Sequence, residues 1–162
     1  MKFSVGCDLE EFRAYWGRNR YGGDLEHLLK KVIKASSQLI VWRENEEIVG
    51  HAVWHETNTE EHRKGDPRDK EDKEALEKLL GGKKDFVELH EIWLMKGYRG
   101  NGYGKSFFEF FKEFIKSKGY DTIIFYAHHP AAIAICRKRG YKEDYLEGIK
   151  EYIFHIPLKK KK

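Results

Sequence analysis

The feature of the sequence that most constrains the fold is the glycine-rich segment at residues 96–106, which reads Lys-Gly-Tyr-Arg-Gly-Asn-Gly-Tyr-Gly-Lys-Ser. An apolar stretch typical of a strand precedes it, and the phenylalanines that follow recur with the period of an amphipathic helix. Glycines let a backbone approach a ligand without Cβ clashes, and the first N–H groups of a helix have no internal acceptors. The segment therefore predicts a strand, a turn and a helix, with an anion such as a phosphate bound at the turn.

Two common phosphate-binding motifs do not fit this segment. Residues 104–106 (Gly-Lys-Ser) have the ending of a P-loop, but the first glycine of that motif would fall on Arg99. The dinucleotide fingerprint requires the spacing G-x-G-x-x-G, whereas the glycines here follow as Gly100-x-Gly102-x-Gly104. A helix-opening turn without a ligand is the structural alternative.

A third pattern fits. Arg99-x-x-Gly102-x-Gly104 resembles the R/Q-x-x-G-x-G/A signature of the GNAT superfamily of acetyl-CoA-dependent N-acetyltransferases. Residues 132–141, Ala-Ile-Ala-Ile-Cys-Arg-Lys-Arg-Gly-Tyr, are similar to that family's segment A-x-x-L-Y-x-x-x-G-F/Y. The order of the other predicted elements agrees with the family, so the resemblance covers the chain apart from residues 58–84.

The resemblance implies an α/β (α+β) fold in a single domain over residues 1–158, with a mixed, mostly antiparallel central sheet flanked by helices. Periodicity predicts helical structure over residues 8–36 with a break at 21–24, and Asp8 is the predicted N-cap. A helix that Gly119 ends should follow the glycine turn, and another helix should cover residues 131–139. The predicted strands are residues 38–43, 47–55, 86–95, 122–127, 141–145 and 152–157.

Residues 58–84 differ in composition from the rest of the chain. Between Glu60 and Lys84, eight acids and eight bases accompany only a few apolar residues. We expect a solvated, charged insertion containing a short amphipathic helix that ends at Gly81-Gly82, and a flap over an active site is the alternative. The four lysines at residues 159–162 are expected to form a solvated basic tail.

Charge and hydropathy exclude several classes of protein. Lys and Arg number 31 and Asp and Glu number 27, so the chain without its four terminal lysines is electrically balanced. This balance argues against nucleic acid as a partner. No run approaches the roughly 18 apolar residues of a membrane helix, and acids stand where a secretory signal would be apolar. We expect a cytoplasmic protein without a membrane partner, and a homodimer is left open.

For the coenzyme, the resemblance implies that acetyl-CoA is the co-substrate and that main-chain groups of the turn and the preceding strand bind it. Main-chain groups of Ile92 and Leu94 would bind the pantetheine, and the Ile92 amide would polarise the thioester carbonyl. The residues predicted to bind the pyrophosphate are Arg99, Gly100, Gly102, Tyr103, Gly104 and Lys105.

Transfer to an amine requires a base, because an amino group with a pKa of about 10 is mostly protonated at neutral pH. Glu88 lies four residues before Ile92, where some family members carry a glutamate base, and partial burial would raise the pKa of its carboxyl. His90, on the same side of the strand under simple alternation, is the second candidate. For both residues a hydrogen-bonded structural role is the alternative.

In the family, a tyrosine of the last signature helix commonly protonates the coenzyme thiolate, and Cys136 occupies that position. Cys136 could donate this proton or be a small buried apolar residue. Tyr126 and Tyr141 are the other candidates, and unaided departure of the thiolate is also reasonable. No partner stands at ligand spacing from His128 and His129, so no metal site is predicted.

These residues together predict an enzyme that moves an acetyl group from acetyl-CoA to a primary amine. The alternative from another class is a non-catalytic acyl-CoA-binding regulatory module on the same fold. The sequence does not distinguish whether the acceptor is a small amine, an amino acid or a protein N-terminus. Family acceptor sites use the first helix pair and nearby loops, which here include Tyr15, Trp16, Tyr21 and Trp54.

Overall fold

The computed structural model describes residues 2–19, 25–59, 69–81, 85–127 and 129–158. Its strands are β1 (Lys2–Val5), β2 (Leu39–Glu44), β3 (Glu47–Asn58), β4 (Asp85–Leu94), β5 (Thr122–Ala127), β6 (Lys142–Leu146) and β7 (Glu151–Pro157). Its α-helices are α1 (Leu9–Asn19), α2 (Leu25–His27), α3 (Asp69–Leu80), α4 (Tyr103–Ser117) and α5 (Pro130–Lys138).

In the described part of the chain, seven strands form one sheet in the order β1-β2-β3-β4-β5-β7-β6. The pairs β1–β2, β2–β3, β5–β7 and β6–β7 are antiparallel. Strands β4 and β5 are parallel, with Val87 opposite Ile123 and Leu89 opposite Phe125. The predicted fold class, an α/β fold with a mixed and mostly antiparallel sheet accompanied by helices, is confirmed.

Contacts within the chain divide it into two compact units. Unit 1 comprises residues 1–55 and 90–107, and unit 2 comprises residues 56–89 and 108–162. The division passes through strand β4 between Leu89 and His90, so each half of this strand is described with its own unit. The assignment of residues 1–158 to a single domain stays a prediction.

In unit 1, helix α1 and the β2–β3 hairpin share one core. Asp8 caps α1 as predicted, because its Oδ2 accepts a hydrogen bond from the Glu11 amide at 3.3 Å. The hairpin turns at Asn45 and Glu46, whose φ angles of 51° and 69° are those of a type I′ turn. The buried residues of this core are Phe12, Tyr15, Trp16, Leu28, Leu39, Val41, Ile48 and Val53.

The N-terminal part of unit 1 differs from the prediction in two places. Strand β1 was not predicted, and it pairs with β2 from Lys2 opposite Arg43 to Val5 opposite Ile40. A strand of four residues at the end of a sheet is too short for its alternation to stand out in the sequence. The second predicted helix is α-helical only in α2 and continues as a π-helical turn at Leu28–Val32. The predicted break at residues 21–24 lies outside the described residues.

In unit 2, helix α3 is part of the core, so the expectation of a solvated insertion is wrong for this helix. Its apolar side chains are between 0% and 6% exposed, and they are Ala75, Leu76, Leu79 and Leu80. They pack with residues from the strands of this unit, namely Phe86, Ile124, Tyr126, Leu146 and Ile153. Positions i, i+1, i+4 and i+5 lie on one side of a helix, which lets four apolar residues be buried while the charged ones face elsewhere.

A hydrogen bond also holds α3 to the connection between β6 and β7. Glu71 Oε1 accepts it from the Gly148 amide at 3.2 Å. The helix ends at Leu80 and is followed by Gly81 in the left-handed conformation, with a φ of 59°, as the prediction of a glycine stop requires. The rest of the predicted insertion, residues 60–68 and 82–84, lies outside the described residues.

The remaining elements of the C-terminal half follow the prediction closely. Strand β5 has the predicted bounds, and β6 and β7 begin and end within one residue of theirs. Helices α4 and α5 are followed by Gly119 and Gly140, whose φ angles of 92° and 72° are typical of helix-ending glycines. None of the helices in the described ranges is both long and apolar enough to cross a membrane. The lysine tail at residues 159–162 lies outside those ranges.

Candidate functional site

The glycine turn lies in unit 1 between a strand and a helix, as predicted. Strand β4 ends at Leu94, a short 3-10 turn follows at Lys96–Tyr98, and α4 begins at Tyr103. Gly100 and Gly102 have φ angles of 83° and 81°, a conformation that residues with a Cβ rarely adopt. A Cβ added to either glycine would meet no atom within 4 Å. The backbone conformation requires these glycines, and the space beside them is open to a ligand.

The first turn of α4 presents backbone donors to that space. The Ser106 amide bonds back to the Gly102 carbonyl at 3.3 Å, so the amides of Tyr103, Gly104 and Lys105 precede the first intrahelical hydrogen bond. This first turn contains no acid, and the Lys105 side chain is exposed. The helix dipole and the lysine both favour a bound anion, which supports the predicted pyrophosphate site.

Arg99 connects the turn to the end of β4. Its Nε donates a hydrogen bond to the Leu94 carbonyl at 2.7 Å. Its guanidinium carbon lies 5.7 Å from the ring centroid of Trp93, within the range of a cation–π contact. The arginine of the sequence signature therefore holds the strand end that precedes the turn, in addition to any contact with a ligand.

Strand β4 carries the residues predicted to act as the base and to bind the pantetheine. Under simple alternation four of them point to one side of the strand, namely Glu88, His90, Ile92 and Leu94. In unit 2, Glu88 is 1% exposed and stands opposite Ile124 of β5. In unit 1, His90, Ile92 and Leu94 are half-buried. A carboxylate as deeply buried as that of Glu88 is costly unless it is hydrogen-bonded or used in a reaction.

His90 lies beside a second histidine of unit 1. The ring centroids of His55 and His90 are 6.0 Å apart, and the ring planes are inclined by 55°. His55 follows the buried part of β3 and was not among the predicted site residues. The pair places two ionisable rings beside β4, of which the sequence analysis named one.

The predicted proton donors lie in unit 2. Cys136 on α5 is fully buried, and burial raises the pKa of its thiol to about 12. This environment favours the interpretation of Cys136 as a small apolar packing residue. Tyr126 on β5 is buried in the cluster with Leu76 and Ile153. Whether either residue gives a proton to the coenzyme stays a prediction.

His129 has a structural role at the start of α5. Its Nδ1 accepts a hydrogen bond from the Ala131 amide at 3.2 Å, and Pro130 occupies the first position of the helix. The ring therefore acts as an N-cap, which satisfies one of the amides that a helix start leaves without an internal acceptor. His128 lies outside the described residues.

The aromatic residues expected near the acceptor belong mostly to the core of unit 1. Tyr15, Trp16 and Trp54 are buried. The indole Nε1 of Trp54 donates a hydrogen bond to the Ser37 carbonyl at 3.0 Å, and the Tyr15 ring packs against that of Phe12. All three are thus buried within unit 1, and Tyr21 lies outside the described residues.

Sequence reasoning missed a buried hydrogen-bonded chain in unit 1. The Tyr15 hydroxyl lies 2.6 Å from His51 Nδ1, and His51 Nε2 lies 2.5 Å from Glu91 Oε2. The His51 ring is surrounded by aromatic rings at centroid distances of 5.4 to 6.1 Å, those of Phe12, Tyr15, Trp16 and Trp93. The signal in the sequence is a histidine in the middle of an otherwise apolar strand.

The fold and the turn together define an α/β protein in which a glycine turn precedes the N-terminus of a helix. Residues 7–141 match the Acetyltransferase (GNAT) family, and the chain belongs to this family. No curated protein sequence matches the chain significantly.

Several solved structures share the fold. One is an agmatine N-acetyltransferase in its apo form, at 12% identity and a TM-score of 0.68, covering 97% of this chain and 100% of that one. A second is a polyamine N-acetyltransferase of Drosophila melanogaster, at 12% identity, a TM-score of 0.65 and coverages of 97% and 100%. A third is the NAA60 protein of Arabidopsis thaliana in complex with acetyl-CoA, at 13% identity, a TM-score of 0.62 and coverages of 96% and 98%.

Proposed function

We propose that the protein is an N-acetyltransferase that moves an acetyl group from acetyl-CoA to a primary amine by direct attack in a ternary complex. The observation that carries the proposal is the turn at residues 99–105, where left-handed glycines open the backbone before a helix N-terminus. Membership of an acetyltransferase family supports the reaction class, and a solved structure of the same fold contains acetyl-CoA.

In this proposal the turn binds the pyrophosphate of acetyl-CoA. The donors are the backbone amides of Gly100, Gly102, Tyr103, Gly104 and Lys105. The open space at the two left-handed glycines supports this assignment, because a phosphate can reach the amides there without meeting a Cβ. Lys105 adds a positive charge at the helix end where the dipole is also positive.

The end of β4 binds the pantetheine through main-chain groups of Ile92 and Leu94. The Leu94 carbonyl already accepts the hydrogen bond from Arg99 Nε. A carbonyl oxygen has two lone pairs, so the same oxygen can also accept a bond from a pantetheine amide. Arg99 thereby orients the carbonyl that the coenzyme uses.

Glu88 accepts a proton from the acceptor's ammonium group, directly or through water, and His90 is the second candidate for this role. The neutral nitrogen then forms a bond to the thioester carbonyl carbon, and the Ile92 amide stabilises the oxyanion. Breaking the C–S bond releases the coenzyme thiolate. The nitrogen loses its second proton and the thiolate gains one, so the products are an N-acetylated amine and free coenzyme A.

The thiolate leaves without help from Cys136. A donor with a pKa of about 12 gives a proton unfavourably to a thiolate whose own acid has a pKa of roughly 8.5. Protonation by solvent after departure is sufficient, because a thiol of that pKa is a fair leaving group. None of these steps requires a metal ion.

A non-catalytic acyl-CoA-binding module is the second candidate function. The buried thiol of Cys136 favours it, since this residue stands where the family signature has a tyrosine that protonates the thiolate. Such a module would bind acetyl-CoA at the same turn and would not turn it over.

Release of free coenzyme A separates the two candidates. The protein is incubated with acetyl-CoA and a panel of amines, free thiol is measured, and acetylated amine is identified by mass spectrometry. We expect thiol and product in equal amounts for at least one amine. Binding of acetyl-CoA in calorimetry without thiol release would support the module, and the absence of binding would overturn both candidates.

A further inference from the structure

The hydrogen-bonded chain of Tyr15, His51 and Glu91 has one possible direction when the carboxylate is ionised and the imidazole is neutral. An ionised carboxylate can only accept, so the N–H at His51 Nε2 donates to Glu91 Oε2. In the neutral imidazole the other nitrogen is an acceptor, so the Tyr15 hydroxyl donates to His51 Nδ1. The chain therefore starts at a buried hydroxyl on α1, passes through β3 and ends at a carboxylate on β4 whose side chain is 15% exposed.

Stability alone is a weak reason for this arrangement. The His51 side chain is fully buried among aromatic rings, where a polar group costs free energy unless all its hydrogen bonds are made. Apolar residues of similar volume commonly replace buried polar or charged pairs with no loss of stability. A chain of three polar groups inside an aromatic cluster points to a requirement beyond packing.

The position on β4 at which this hydrogen-bonded chain ends indicates what its role beyond packing is. Strand β4 pairs with β5 from Val87 to Leu89, in unit 2, and its other neighbour in the sheet is β3. In unit 1, further contacts made one residue after another add to this strand pairing. Glu91 bonds to His51, and the Trp93 ring lies 6.1 Å from those of both Tyr15 and His51.

The attachments continue to the end of the strand. The Leu94 carbonyl accepts the bond from Arg99, and the Met95 amide donates to the Val49 carbonyl at 2.9 Å. The Glu91 contact is the first of this series. It lies between His90, the second candidate for the base, and Ile92, the proposed donor to the oxyanion.

We infer that Tyr15 and His51 are positioning residues, which hold the Glu91 carboxylate and through it fix the His90 ring and the Ile92 amide in the geometry for acyl transfer. The inference rests on the proposed function. Displacements of about 1 Å caused by distant substitutions can reduce rates on the order of 10²-fold, so a small movement of the Ile92 amide is enough to be measured.

Removal of the first hydrogen bond tests this inference with the least disturbance. Tyr15→Phe keeps the ring and deletes only the hydroxyl. We expect kcat to fall about five- to tenfold, while the Kd of acetyl-CoA, measured by calorimetry, changes less than about twofold, because the pyrophosphate contacts of residues 99–105 and the Leu94 carbonyl are not touched. A kcat within twofold of the wild-type value would overturn the inference.

Two substitutions of His51 distinguish the contributions of the hydrogen bonds made by its two ring nitrogens. His51→Gln retains a donor near the position of Nε2 and keeps the bond to Glu91, whereas His51→Asn retains an acceptor near Nδ1 and keeps the bond to Tyr15. The positioning role predicts that His51→Gln resembles Tyr15→Phe and that His51→Asn has the lower kcat. The reverse order would overturn it, and Tyr15→Phe remains decisive if the histidine variants do not fold.

Val53→Ala is the matched control for a merely structural role. Val53 is fully buried in the same region and on the same strand as His51, but it takes no part in the hydrogen bonds that join Tyr15, His51 and Glu91. We expect its Tm to fall through the cavity that it creates, with kcat preserved. If kcat follows Tm across all four variants, the chain is structural and the inference is overturned. An inactive wild-type protein would instead overturn the proposed function, and the inference with it, before any variant is compared.

Discussion

The residues to which the proposed function gives a task differ in kind between the two units. Those proposed in unit 1 act mainly through backbone groups, which are the amides of the glycine turn and the main chain of β4 after Leu89. Those proposed in unit 2 act through side chains, above all the buried Glu88. A backbone site depends on the conformation that glycine permits, and a side-chain site depends on the chemistry of one functional group. The same kind of substitution should therefore affect the two units differently.

The largest effect is expected for the side chain of unit 2. Glu88→Gln keeps the shape and removes proton acceptance, so kcat/KM should fall on the order of 10²–10⁴-fold. The loss should shrink as the pH rises, because more of the amine is then neutral without a base, and acetyl-CoA binding should persist. The pH–rate profile measures both effects.

Two controls make this experiment specific. Asp72→Asn removes another buried carboxyl of unit 2, on α3, and should change the rate less than about twofold. His90→Gln tests the second candidate. A normal profile for Glu88→Gln beside a collapsed one for His90→Gln would give the role to the histidine, and two normal profiles would leave both residues structural.

The next effect is expected at the backbone site of unit 1. Gly102→Val should reduce the affinity for acetyl-CoA on the order of 100-fold, because its branched side chain fills the open space that a phosphate needs. Gly119→Val is the matched control, since Gly119 has a similar φ of 92° and equally open surroundings at the other end of α4. Both variants carry backbone strain, but the control should bind normally in calorimetry. Equal affinities would remove the turn from the coenzyme site.

A smaller effect is expected for charge at the same turn. Lys105→Glu places a negative charge at the N-terminus of α4, where it repels a bound phosphate, so acetyl-CoA affinity should fall about tenfold at low salt. Lys116→Glu makes the same change in the last turn of the helix and should leave the affinity within about twofold. Rising salt should diminish the loss for Lys105→Glu. A loss that salt does not alter would argue against an electrostatic origin.

The smallest effect on rate is expected for the second side chain of unit 2. Cys136→Ala should leave kcat within about twofold, because the proposed departure of the thiolate does not use this thiol. Loss of a buried sulfur should still cost on the order of 1 kcal/mol in the free energy of unfolding. Denaturant titration and steady-state kinetics measure the two quantities. A large loss of kcat at unchanged acetyl-CoA affinity would restore Cys136 as the acid.

Local signals in the sequence were sufficient for much of the fold. The β-branched and aromatic residues of β5 gave its bounds, and Asp8 and Gly119 marked helix ends through short-range chemistry. Composition misled at α3, where four buried apolar residues are hidden among charged ones. Strand β1 was too short to show an alternation.

The candidate site likewise contains one part that local sequence signals predict and another that they do not. The glycine turn is a contiguous motif, so the sequence predicted its place between β4 and α4. The chain through His51 joins residues that lie 36 and 40 positions apart, and a histidine alone does not indicate which partners the fold will bring to it. Burial also decides the character of Cys136, and burial is a property of the whole packed unit.

The environments of the two cysteines have a practical consequence. Burial and the neighbouring Glu11 carboxylate raise the pKa of Cys7 to about 11, and that of Cys136 is about 12. At pH 8 about one Cys7 side chain in a thousand is ionised, and still fewer of Cys136, whereas reagents for thiol detection react with the ionised form. A colour reaction for liberated coenzyme A at that pH should therefore report turnover with little background from the protein itself.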